Sequence, residues 1–145
     1  MSFEFKDCHF GFKNPLFFSS FVFISNIIIA YYVNEPIYFI LFSILLMTSL
    51  IVHYSQNTFI EYCDKIFIGL IFLYGFTIFF MKVLHIKTIY QLISSIIVIF
   101  SFFSCIFIYQ NYSSMTFTLF NIEGNFYHIL VHLSGAIGHN LIMLL

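Results

Sequence analysis

The stretch PIYFILFSILLMTSLIVH, residues 36–53, carries no charged side chain before the histidine that closes it. As an α-helix it would rise about 27 Å, close to the hydrocarbon thickness of a bilayer. Pro36 suits the first turn of such a helix, where its missing N–H costs nothing. Near the other end, Ser49 and His53 are four residues apart and share one face. A serine and a histidine on one face of a membrane helix need a polar neighbour, because unsatisfied polar groups are costly in hydrocarbon.

Working outward, residues 15–33 form a second charge-free run, about 28 Å long as a helix, and Asn34-Glu35 break it from the next. Tyr54 to Cys63 reads as a connection at the membrane interface. A third helix follows at about 64–81, bounded by Lys65 and Lys82, whose side chains can snorkel toward headgroups. Val83 to Lys87 is a short turn that includes His85. A fourth helix runs over about 88–109. Gln110 to Asn125 is expected to lie on the membrane surface or partly re-enter it, and a fifth helix spans 126–145. The first fourteen residues carry charges of both signs and lack the basic-then-apolar pattern of a cleaved signal peptide, so they are expected to stay attached. The expected fold class is all-α: a polytopic integral membrane bundle of about five transmembrane helices, in one domain over residues 1–145.

Composition agrees with this reading. Hydrophobic residues make up 61% of the 145 positions and charged residues 8%, with a mean hydropathy of +1.02, more apolar surface than a soluble domain of this size can bury. The formal charge of -1 comes from five lysines and six carboxylates, with no arginine, so no basic face exists for nucleic acid. Cys8, Cys63 and Cys105 are widely spaced and odd in number, which argues against a disulfide framework.

Alternating helix directions place the end of helix two and the starts of helices three and five on one side of the membrane. His53, Asp64, His128 and His132 then lie at one level, the last two again four residues apart. Three imidazoles form the ligand set of catalytic zinc sites, which keep a fourth position for water and make that water acidic near neutral pH. Asp64 is the candidate proton acceptor. Ser49, one turn deeper than His53, is the candidate donor to the oxyanion that forms at an attacked carbonyl. At the hydrocarbon edge such a group would suit a lipid ester or amide.

Ser49-x3-His53, Asp64 eleven residues on, and His128-x3-His132 at the start of the last helix together resemble the pattern of the alkaline ceramidases, a family within the superfamily of membrane hydrolases that includes the progestin and adiponectin receptors. Asp7-Cys8, Ser25-Asn26, and Ser134, Gly135 and Gly138 are weaker echoes. The resemblance implies that His53, His128 and His132 hold Zn²⁺, that Asp64 serves the water, and that Ser49 stabilises the transition state. It implies hydrolysis of the ceramide amide to sphingosine and a fatty acid, in endoplasmic reticulum or Golgi membranes. The family has seven helices where this chain offers five, and losing a pair from the middle keeps the histidines on one side. Of the family's calcium-binding acidic residues, only Asp7 has a counterpart, and Ser19 stands where a Glu is expected.

Other readings stay open. A lone histidine in an apolar helix is often a hydrogen-bonded structural residue, although ionisable groups at membrane depth point to function. Ser49 can bond its own backbone or pack a helix contact. Asp64 can cap the start of helix three. His139, on nearly the same face as His132, is either a packing residue or part of a bis-histidine haem site, and haem would leave Asp64 and Ser49 unexplained. Gly135 and Gly138 permit close helix packing. At the level of the whole protein, the rivals are a related lipid hydrolase or receptor-like member of the superfamily, and a non-catalytic membrane interaction protein.

Overall fold

The computed structural model describes residues 14–55, 58–116 and 122–145, and only the backbone of 112–116 and 122–123. Among these residues the chain is helical and contains no strand; five helices form one bundle. The first, α1, runs over Pro15–Tyr32 and is interrupted by a 3₁₀ turn at Ser20–Val22. Asn14 caps it, its Oδ1 accepting the Leu16 N–H at 2.9 Å, with Pro15 in the first turn. It ends through Asn34, whose φ of 58° is the left-handed conformation that closes helices and that asparagine tolerates. The N–H of Glu35 then returns to Ala30 O at 2.9 Å.

Pro36 opens α2, Pro36–Ser55, where the uncharged run predicts it. The next helix differs from expectation: α3 spans Thr58–Val83 and takes in most of the segment expected to be a connection. Residues 58–63 are helical, and Glu61 and Lys65, four apart, pair at 2.7 Å along the helix surface. Asp64 consequently lies in the second turn of α3, away from the capping position, which removes the capping explanation for its presence. Helix α4, Ile89–Thr116, likewise continues past 109. Its start is a capping box in which Thr88 Oγ1 accepts the Gln91 N–H while Gln91 Oε1 accepts the Lys87 and Thr88 N–H groups. The remainder of the expected surface segment, 117–121, lies outside the described residues, and α5 begins at Ile122 and ends at Leu144.

Four of these helices, α1 to α4, are long and apolar enough to cross a membrane, as in an integral multi-pass protein. The more polar α5 packs along α4 and α1 and touches α3, while α2 packs between α1 and α3. The shared core holds Phe23, Ala30, Tyr38, Phe42, Ile71, Val98, Ala136 and Ile142, whereas Phe59, Phe76, Phe100 and Phe103 point outward, as lipid contact allows. Polar side chains tie α1 to α5: Asn26 Nδ2 donates to Ala136 O at 2.9 Å and to Asn140 Oδ1 at 2.8 Å, and Asn140 Nδ2 donates to Ser25 Oγ at 2.9 Å. A Cβ on Gly138 would lie 3.2 Å from the Ser101 Cβ, so this glycine does permit a close α4–α5 approach, whereas nothing lies within 4 Å of such a Cβ on Gly135. Lys82 turns inward instead of snorkelling, its Nζ donating to Ile142 O at 3.0 Å and Met143 O at 2.9 Å, which satisfies carbonyls at the end of α5.

Candidate metal centre

The inner face of α2 carries Tyr38, Phe42, Leu45, Ser49 and His53, all buried, and its last turn delivers His53 into the bundle. Helix α5 runs past it with His128 and His132 one turn apart. The His53 ring lies 5.0 Å from that of His128 and 5.5 Å from that of His132 between centroids. One ring nitrogen of each of the three lies within 4.8 Å of the other two. His128 Nε2 and His132 Nε2 are 3.1 Å apart. Tetrahedral zinc with Zn–N bonds near 2.0–2.1 Å sets its ligand nitrogens about 3.3 Å from one another, so the donor set fits the ion, with modest contraction at the wider pairs. His53 and His132 are buried and His128 half-buried.

Two neighbours hold this group: Ser19, which the resemblance places only where a calcium-binding Glu is expected, and Asn14, which the sequence pattern did not single out. Ser19 Oγ lies 2.9 Å from His132 Nδ1 and donates to Leu16 O at 2.8 Å. Asn14 Nδ2 donates to the His53 carbonyl at 3.1 Å. Both come from the start of α1, and nothing in the sequence joins either of them to a histidine. Phe23, one turn further along α1, packs its ring 5.1 Å from that of His132.

Asp64 is not part of the three-ligand cluster. Its Oδ1 accepts the Thr48 hydroxyl at 2.7 Å, shorter than the 3.1 Å from the same hydroxyl to Leu45 O. Thr48 thus fixes the carboxylate between α2 and α3. Ser49 is buried, and its Oγ lies 2.8 Å from Ser20 Oγ, which in turn donates to Leu16 O at 3.1 Å. Its hydroxyl is therefore engaged by α1 in this conformation and must turn away to serve any other acceptor. Asp7, the candidate calcium position, and the echo at Asp7-Cys8 lie outside the described residues. Ser25-Asn26 is the clamp on α5 described above. His139 is separate from the cluster: its Nδ1 is 3.2 Å from the Tyr38 hydroxyl, with the rings of Phe42 and Phe102 at 5.4 and 5.2 Å, the surroundings of a packing residue. Comparison with protein-family models, curated proteins and solved structures finds no match to this chain.

Proposed function

We propose that the chain is a zinc-dependent intramembrane amide hydrolase of the ceramidase kind, cleaving a ceramide-like sphingolipid into its sphingoid base and a fatty acid. The observation that carries this reading is the convergence of His53, His128 and His132 from two helices inside a bundle of membrane-length helices. Buried imidazoles gathered at such a depth are expensive to keep without a ligand in common. His53, His128 and His132 would hold the ion, which when bound supplies a Lewis acid and an acidified water.

The chain's own residues supply the rest. Asp64, oriented by Thr48, accepts a proton from water and returns it to the departing amide nitrogen. Ser49, released from Ser20, donates its hydroxyl to the carbonyl oxygen as negative charge develops there. Water adds to the carbonyl carbon, the C–N bond breaks, and the products are a carboxylic acid and a free amine. The apolar outer surface of the helices suits a substrate that arrives from the bilayer. By the same resemblance, the proposed residence is the endoplasmic reticulum or Golgi membrane.

One observation favours a second reading, metal or lipid binding without turnover: the Ser49 hydroxyl is already bonded to Ser20. Both readings meet the same experiment. Elemental mass spectrometry on detergent-purified protein is expected to find about one zinc per chain in the wild type and a marked loss in His132→Ala, followed by fatty acid release from ceramide by the wild type. Zinc without release from ceramide or any other amide lipid selects binding without turnover, and absence of zinc after chelator-free purification sinks the hydrolase reading.

A further inference from the structure

At the break in α1, two consecutive hydroxyls turn to two different helices: Ser20 to Ser49 on α2, Ser19 to His132 on α5. The second contact decides which nitrogen of His132 can face an ion. A serine hydroxyl has one proton and two lone pairs. Ser19 Oγ sits 2.8 Å from Leu16 O, and a carbonyl oxygen can only accept, so for both Ser19 contacts to be hydrogen bonds the hydroxyl proton goes there. What Ser19 offers His132 Nδ1, at 2.9 Å, is a lone pair. His132 then carries its own proton on Nδ1, donates it to Ser19, and keeps the lone pair on Nε2. That nitrogen is the one lying 3.1 Å from His128 Nε2.

We infer that Ser19 is a positioning residue of the metal centre, holding His132 in the tautomer and ring orientation that present Nε2 to the ion. The inference rests on the zinc reading above and adds to it a residue outside the ligand set. Partners that bond the second nitrogen of a ligating histidine are worth about 10–100-fold in metal affinity. The ring is held from a second direction by Phe23, at 5.1 Å between centroids, so the hydrogen bond selects among few available orientations. The relay ends at a backbone carbonyl of the same helix, which makes α1 itself the element that orients a ligand on α5.

The experiment measures zinc affinity of the full chain in detergent by competition with a chelator of known affinity, with circular dichroism confirming retained helicity. Ser19→Ala is expected to weaken zinc about 10–100-fold. Ser19→Thr and Ser19→Val form a matched pair of nearly equal shape that differ in the hydroxyl. The threonine, able to reach the same carbonyl one turn back, is expected to restore affinity, and the valine is expected to match the alanine. Cobalt substituted for zinc gives a spectroscopic signature of the ligand field, expected to change in Ser19→Val and to be kept in Ser19→Thr. Equal zinc affinity in the threonine and valine variants overturns the inference and leaves the metal centre standing; a wild type that binds no zinc overturns both.

Discussion

His132 and His139 lie on one helix, seven residues apart and on nearly one face, separated by about 10 Å of helical rise, and both are buried. Their surroundings have little in common. His132 meets two further imidazoles and a hydroxyl that itself bonds to a carbonyl. His139 meets one phenol and the faces and edges of aromatic rings. Opposite it stands Gly75, where a Cβ would fall 2.7 Å from His139 Nδ1 and 2.9 Å from the Tyr38 hydroxyl. The space around His139 is filled by protein, whereas the nitrogens around His132 are spaced for an ion. A buried histidine is thus given its role by the residues that other helices bring to it, and the pattern of its own helix does not distinguish the two.

The contrast is tested most severely by exchanging the losses. His132→Ala is expected to remove stoichiometric zinc and His139→Ala to retain it, as measured by elemental mass spectrometry; equal zinc in the two variants would erase the distinction. Ser49→Ala is expected to keep zinc at the wild-type level while lowering ceramide turnover by about 10²–10³-fold, the usual effect of losing one oxyanion donor. Unchanged turnover would leave Ser49 as the packing partner of Ser20. On the other side of the comparison, Gly75→Ala forces a methyl group against His139 and Tyr38, and overpacking of this kind costs about 1–3 kcal/mol. It should appear as a lower denaturation midpoint, with zinc still bound in the folded fraction. The smallest effect is expected from Tyr38→Phe, which removes the hydrogen bond to His139 Nδ1 at a cost of about 1 kcal/mol; a loss of zinc in this variant would show that the two histidine environments are coupled.

Much of the bundle was legible because charge-free runs of membrane length are hard to mistake, and residues 36–53 marked out one helix almost to its last turn. The ends of α3 and α4 were not. Their end segments look like connections, yet the helices continue through them, to Thr58 at the start of α3 and Thr116 at the end of α4. Of the site, the three histidines could be read from i,i+4 spacing and the parity of the helices. Ser19, Asn14 and Thr48 could not be read that way, because a contact between residues 113 positions apart, such as Ser19 and His132, leaves no periodicity in either segment. The roles of Asp64 and Ser49 were drawn from chemistry and resemblance; their partners Thr48 and Ser20 belong to the three-dimensional arrangement alone.

The long reach of these contacts bears on the order in which the molecule can be made. Ser19 and Asn26 on α1 find their side-chain partners on α5, more than a hundred residues later in synthesis. When α1 enters the bilayer as the ribosome extends the chain, His132, Ala136 and Asn140 do not yet exist. Until α5 is made, the side chains of Ser19 and Asn26 lack these partners. The three imidazoles come together only once α5 packs into the bundle, so the centre cannot form before that helix has been made.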